Sequence, residues 1–279
     1  MRDYKNLISW ISRINLEKIE IILVLDQESQ LDKNLINQLR EKFMSSNLDV
    51  LHGDRAGPGS ARNIGIEKTS GTWTMFCDSD DLPHLENVLN ALENSDATNF
   101  DIIIGNYEID DTSRNNLSSL FTLNTELTLI EMIALNPGIW RICFRSDSIT
   151  SLRFPNIYMA EDQVFIAEYF CTPRRILHAQ SLFYTYRKGI ETQLTNSKIR
   201  QQDIYIAIKR LVALLPTSKN QEFSRLQLIR VIDTGLVKGT LITKMKIIKV
   251  VLDLFLVRRY FNFIDILQIN YLIWKNKIG

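Results

Sequence analysis

Three short stretches of this 279-residue sequence carry residue types that could do chemistry. Asp78-Ser79-Asp80-Asp81 puts three carboxylates in four residues directly after the apolar run TWTMFC, with no basic residue among them. Carboxylates so placed repel one another unless a cation holds them, and hard oxygen ligands suit Mg2+ or Mn2+. Because Mg2+ commonly takes one or two carboxylates and completes its shell with water and phosphate oxygens, the cluster suits a bound diphosphate. A solvated acidic turn capping the next helix is the plainer explanation, and the residues alone leave both open. GPGSARNIGI, Gly57 to Ile66, sets glycines before Arg62 and Asn63, which fall in the first turns of a helix whose amino end favours anions. It has neither the GK[ST] ending of a Walker loop nor a GxGxxG fingerprint, so alone it reads as a turn and helix cap. Glu161-Asp162 opens AEDQVFIAEYF. Either the pair complements the helix dipole, or one carboxylate is a general base that takes a proton from an attacking hydroxyl. Neighbours on a helix point about 100° apart, so only one of the two faces the reacting group.

The elements that must position these residues follow from periodicity. Leu7, Ile8, Ile11 and Ile14 recur at helical spacing, and Ile19 to Leu25 form a short apolar run ending at Asp26. Leu31 to Phe43 marks a second helix, Leu48 to Leu51 a strand, Ser60 to Lys68 a helix, and Thr72 to Cys77 a strand cut off by DSDD. A helix over Pro83 to Glu93 leads to a buried strand, Asp101 to Tyr107, and then to a polar, loop-like stretch, Glu108 to Phe121. Helices over Thr125–Leu135 and Ala160–Cys171 alternate with strands over Ile139–Arg145 and Leu182–Arg187. Alternating strands and helices imply an α/β fold with a mostly parallel sheet flanked by helices. In such sheets ligands sit at the carboxyl ends of strands, where Asp26 and Asp78 to Asp81 fall. From Gln201 the pattern is all helix: Ile204–Leu215, Gln221–Val237, Leu241–Val257 and Phe261–Trp274. The polar TNSKIRQQD segment gives a boundary near 198, separating a catalytic and ligand-binding region, 1–198, from a helical C-terminal region, 199–279.

Taken in order, GPGSARNIGIEKTSGTWTMFCDSDD and then FPNIYMAEDQVF resemble a family 2 glycosyltransferase with the GT-A fold, in which a GxxxARNxG helix, a strand ending in DxDD and a helical ED pair recur. The resemblance covers roughly Asp3 to Thr195. It implies an inverting, metal-assisted transfer of a hexosyl or N-acetylhexosaminyl group from a nucleotide-diphosphate sugar to a glycan or lipid-linked glycan acceptor in the synthesis of a cell-surface polysaccharide. Matched residue by residue, Asp26 contacts the nucleotide base, Arg62 with Asn63 lies near the donor, and Asp78 and Asp80 form the DxD pair. Asp78 then lies near the ribose, and Asp80 binds Mn2+ or Mg2+ on the diphosphate. Asp162 matches the catalytic base, with Glu161 as substitute, and Arg187 in YTYRKGIETQLT resembles a stretch lying over the donor. Two departures fall on the base pocket. The sequence opens at the helix that follows the family's first strand, and Asp26-Gln27-Glu28-Ser29 replaces Asp-Asp-Gly-Ser. Loss of that strand would leave its neighbours with unpaired backbone edges and lower stability as well as activity.

Composition narrows the classes. With 45% hydrophobic and 23% charged residues the chain is neither disordered nor a disulfide-stapled miniprotein. Three scattered cysteines suit a reducing compartment, and the charged N-terminal stretch does not read as a secretory signal. The formal charge of +1 hides an asymmetry: residues 238 to 279 hold eight Lys and Arg against two Asp and Glu, a net +6, leaving −5 for the rest. An acidic body argues against nucleic-acid binding. A basic, apolar tail raises a peripheral position on an anionic inner membrane face, although packing helices or a homo-oligomer interface explain it as well. No uncharged run approaches the roughly 18 residues of a spanning helix. The competing classes are a catalytically impaired binding or assembly protein that retains the fold, and a nucleotidyltransferase, for which a basic glycine loop at the first strand is wanting. His52 and His84 lack ligand partners at metal spacing, and Trp10, Trp73, Trp140 and Trp274 read as packing residues.

Overall fold

A computed structural model describes residues 4–11, 17–26, 47–54, 57–111, 116–118, 128–188 and 201–256, with positions 37 and 41. The helices expected over Leu31–Phe43 and Phe261–Trp274, and the boundary near 198, lie outside the described residues. The chain divides into two compact units.

The first unit carries helix α1 (Tyr4–Ile11), strands β1 (Ile21–Leu25) and β2 (Leu48–His52), α2 (Pro58–Lys68), β3 (Trp73–Met75), β4 (Leu82–Pro83) and α3 (Leu85–Asn94). β5 (Ile102–Asp111) and β6 (Asn116–Ser118) follow, and the chain returns to this unit for β7 (Ile142–Arg145) and β8 (Ile176–Lys188). β5 is the centre of the larger sheet, ordered β3-β7-β5-β8-β4 with β6 on β5. Its IIIGNY stretch is covered on both faces: Ile102, Ile103, Ile104 and Tyr107 are buried, and the buried Asn106 donates from Nδ2 to Gln180 O at 2.9 Å. Phe183, Cys143 and Val88 close round Ile103. At Gly105 the β5–β8 register slips, and a Cβ there would run into the Phe183 ring.

The sheet is more mixed than alternation implied. β1 with β2 and β5 with β8 are parallel, whereas β3–β7, β4–β8, β5–β6 and β5–β7 are antiparallel. The physical reason is β7, which enters antiparallel between β3 and β5. The loop expected over Glu108–Phe121 is replaced at its start by the continuation of β5 to Asp111 and by β6. Residues Ile139–Arg141 form a 3-10 turn before β7. Among the described residues, β1 pairs only with β2 and β3 only with β7, so no strand joins the two sheets. Glu20 links them instead: its carboxylate accepts from Ser70 N (2.9 Å), Ser70 Oγ (3.0 Å) and Gly71 N (3.3 Å). Ile21 and Leu23 of β1 pack on Leu7, Trp10 and Ile11 of α1.

The second unit is helical: α4 (Leu129–Leu135), α5 (Glu161–Tyr169), α6 (Gln201–Leu214), α7 (Gln221–Lys238) and α8 (Leu241–Leu256). A capping box sets the start of α4, Thr128 accepting from Glu131 N while the Glu131 carboxylate accepts from Thr128 N. α5 shows no polar stripe because nearly all of it is inside, with Val164, Phe165, Ile166, Ala167 and Tyr169 buried. α6 buries Ile204, Ala207, Ile208 and Leu211 at helical spacing. Gly235 of α7 is a point of close approach, where a Cβ would stand 2.5 Å from Ile247 and 3.0 Å from Ile204.

Candidate active site

The first unit gathers two of the three chemistry-bearing stretches, GPGSARNIGI and DSDD, together with Asp26. Asp26 follows β1, and its Oδ2 accepts from Gly57 N at 3.2 Å. Gly57 stands at φ 98°, a conformation that favours glycine, and Pro58 at the first helical position starts α2. One turn on, Arg62 Nη2 reaches Asp78 Oδ1 at 3.0 Å, tying α2 to the DSDD turn that ends β3. Its guanidinium also lies 5.4 Å from the centroid of Phe154, a cation–π contact of about 0.5–2 kcal/mol. Phe154 is buried and meets Phe76 edge-on at 5.3 Å.

Asp26 Oδ1 is buried with no hydrogen-bond partner among the described residues. Leaving such an acceptor unmet costs about 1–3 kcal/mol, which a ligand N–H would recover. Gly53 borders it closely: a Cβ there would lie 2.8 Å from Asp26 Cα and 3.2 Å from Oδ1.

Behind the DSDD turn lies β8. Asp78 N donates to Tyr184 Oη at 2.9 Å, and Arg187 N donates to Asp81 Oδ1 at 2.8 Å. Asp81 is buried; burial first, then the neighbouring Asp78 charge, pushes its carboxyl up to about 8, against the hydrogen bonds from Arg187 and Tyr184. Asp81 thus anchors the turn from within, while Asp78 and Asp80 are only partly buried. The Arg187 guanidinium pairs with Asp110 of β5, Nε to Oδ2 at 3.6 Å, and it is the Arg187 backbone that holds the acidic turn. Asn63 spends its amide on Phe154: Nδ2 donates to Phe154 O (3.0 Å), and Oδ1 accepts from Phe154 N (2.8 Å).

Glu161 and Asp162 belong to the second unit, at the start of α5. Ala160 before them is left-handed, φ 64° and ψ 19°, the only non-glycine at positive φ among the described residues. That conformation costs an alanine about 1 kcal/mol and aims the first turn of α5. Glu161 is buried, whereas Asp162 is partly exposed, its Oδ1 accepting from Gln163 N at 2.8 Å.

Among the described residues no three His, Cys, Asp or Glu side chains form a ready-made cation cage. The two partly exposed carboxylates Asp78 and Asp80 fit the alternative, an ion that takes one or two protein oxygens and the rest from a diphosphate and water. Sequence reasoning passed over Phe154, Tyr184, Gly53 and the anchoring place of Asp81. A glycine just after a strand was the one local signal, since the others act across the fold. His84 is held by β8, Nε2 standing 2.8 Å from Thr185 Oγ1, and burial lowers its pKa. Trp140 stacks on Tyr184 and Tyr186 at 4.7 and 5.6 Å.

Carboxylates after two strands, with helix α2 between them, lie on an α/β sheet of the GT-A type that glycosyltransferases share. The chain belongs to glycosyl transferase family 2, whose model matches residues 5–154. An uncharacterized glycosyltransferase of Haemophilus influenzae is 31% identical over 156 residues, 54% of this chain and 60% of that protein. The poly(ribitol-phosphate) beta-glucosyltransferase of Bacillus spizizenii is 24% identical over 221 residues, covering 77% of this chain and 34% of its own length. The chain therefore spans between about a third and three fifths of these relatives. Staphylococcus aureus TarS 1-349 in complex with UDP-GlcNAc superposes with a TM-score of 0.67 at 17% identity, covering 88% of this chain and 75% of that one. The mannosyltransferase PcManGT from Pyrobaculum calidifontis, solved with GDP-Man and Mn2+, gives 0.53 at 12% identity, covering 91% and 78%. Both show the shared fold.

Proposed function

We propose that this chain moves a sugar from a nucleoside-diphosphate sugar to a hydroxyl of a glycan precursor, with inversion at the anomeric carbon. The observation that carries the reading is the convergence of Asp26, α2 and the DSDD turn through the Gly57–Asp26 and Arg62–Asp78 contacts. Asp26 would accept from the base with its unmet Oδ1, and Arg62 with Asp78 would border the ribose and phosphates. A divalent cation, Mn2+ or Mg2+, held by Asp80 with Asp78, would supply charge neutralisation for the departing diphosphate. Asp162 is assigned the proton of the acceptor hydroxyl. The acceptor oxygen then bonds to the anomeric carbon as the carbon–phosphate oxygen bond breaks, so an α-linked donor yields a β-linked product. Glu161, being buried, serves the helix start. The catalytic region is assigned to 1–198 and a helical extension to 199–279. A lipid-linked acceptor for cell-surface polysaccharide would place the work at the inner face of a membrane.

The test is a binding screen of nucleotide sugars with and without Mn2+, followed by detection of released nucleoside diphosphate. One donor should bind in a metal-dependent way, Asp80→Ala should lose that dependence, and Asp162→Asn should bind donor but transfer at least about a hundredfold more slowly. Full transfer by Asp162→Asn would remove the base assignment. Binding without release for every donor would favour a non-catalytic protein, and release of pyrophosphate a nucleotidyltransferase.

A further inference from the structure

Helix α8 is apolar on two opposite sides. Thr243 and Ile247 are buried against the rest of the second unit, as the inward face of a surface helix should be. Facing away from them, Leu241, Met245, Ile248 and Leu252 are exposed by 74, 63, 48 and 55%. At about 100° per residue these four fall within an arc of roughly 60°. Lys244 lies about 70° to one side of that stripe and Lys249 about 70° to the other. Ile242 of α8 and Val237 at the end of α7 extend the apolar surface, each exposed by 67%. Lys246, further round, is turned to the Tyr205 ring, 5.6 Å from its centroid, and Asp253 is the sole acid of α8. A helix whose outward face needed only water would carry polar residues there.

We propose that α8 docks this chain on an anionic lipid bilayer, its Leu241–Met245–Ile248–Leu252 stripe entering the boundary between headgroups and acyl chains and Lys244 and Lys249 reaching the lipid phosphates on either side. Lysine stems lie along apolar surface while their ammonium groups seek the polar phase, which is the arrangement a flanked stripe provides. Charge selects this occupant over a second copy of the chain. A two-fold contact would bring the lysine-flanked stripe of one copy against the same stripe of the other. An anionic surface meets the lysines with opposite charge. Among the described residues no helix is long and apolar enough to cross a membrane.

The experiment is co-sedimentation of the full chain with vesicles of phosphatidylcholine alone and with about a third phosphatidylglycerol. The parent should pellet with the anionic vesicles at low salt, release as salt rises, and stay in solution with the neutral ones. Lys244→Ala with Lys249→Ala should lower the partition coefficient about thirtyfold, near fivefold per lysine. Met245→Glu with Ile248→Glu should lower it on the order of a hundredfold or more. Met245, Ile248 and Lys249 are exposed and Lys244 is partly buried, and thermal unfolding of each variant checks that the fold is kept. Absence of parent binding at low salt overturns the proposal, and so does binding of the glutamate variant at the parent's level. A dimer that the glutamates dissociate, without vesicle binding, assigns the stripe to self-contact and likewise overturns it. Because no sugar transfer is read, a chain that docks but transfers nothing sinks the enzymatic reading and leaves this one standing.

Discussion

Replacing Asn63 by alanine separates a structural role for this residue from a donor-binding one. The amide makes two reciprocal hydrogen bonds to the backbone of Phe154, at 3.0 and 2.8 Å, joining α2 to a segment 91 residues away. Each bond is worth about 1 kcal/mol net, and a partly buried N–H and C=O left behind add a desolvation cost, so the total is about 2–3 kcal/mol. With about 2.1 cal/mol/K of unfolding entropy per residue over 279 residues, that lowers Tm by about 3–5 °C, and by more if the first unit melts alone. Asn63→Asp refines the test. It keeps an acceptor for Phe154 N but sets a carboxylate oxygen against Phe154 O where a donor stood. The aspartate's folded pKa is thereby raised, so its destabilisation is present above that pKa and shrinks as acid turns the carboxyl into a donor. Differential scanning calorimetry of the parent and both variants at pH 7 and pH 4 reads these shifts. The reasoning fails if Asn63→Ala melts within about 1 °C of the parent, or if the deficit of Asn63→Asp is the same at both pH values.

Two other perturbations test the frame of the site. Gly105→Ala drives a methyl into the buried Phe183 ring and should cost about 1–3 kcal/mol; in a urea-denaturation cycle with Phe183→Ala the two losses should be less than additive, and strict additivity would deny the clash. Asp101 accepts from Arg175 N at 2.8 Å and from Nη2 at 2.9 Å; burial opposes its ionisation, but the Arg175 bonds together outweigh burial and hold its pKa below 3.8. A depressed folded pKa contributes stability above the unfolded value and loses it as pH falls through the folded one. Asp101→Asn should therefore cost Tm at pH 7 and little at pH 2.5, and an equal cost at both would refute the linkage.

What the sequence discloses about this fold is what neighbours along the chain decide. Gly57-Pro58 starts a helix because one residue takes positive φ and the next cannot donate. Thr128 and Glu131 cap one another from three residues apart, and IIIGNY reads as a buried strand from its run of three isoleucines. The direction in which strands pair is decided elsewhere. Nothing in ICFR tells that β7 will enter antiparallel between β3 and β5, and nothing in FPNIY tells that Phe154 will lie under Arg62. Asp81 illustrates the same limit within one motif. DSDD offers three like carboxylates, and only the position of β8 separates the buried anchor from the two more accessible ones. The helical spacing over Leu241–Val257 was legible, but not which of its apolar residues would face outward.

The link between the two sheets has a consequence for what this molecule can vary. Among the described residues Asp26 ends a two-stranded sheet joined to the rest through Glu20 and helix packing, whereas the DSDD turn is stitched by Tyr184 and Arg187 to a strand paired along most of its length with the centre of the six-stranded sheet. Two paired strands alone are marginally stable, so the Asp26 end is the softer of the two. Substitutions in β1 should therefore cost the whole fold less than changes behind the acidic turn, which are felt through the central sheet, whereas any side chain at Gly53 would press on the Asp26 backbone. On the proposed reading, the same scaffold can drift in which nucleotide it reads and stay fixed in how it holds the phosphates.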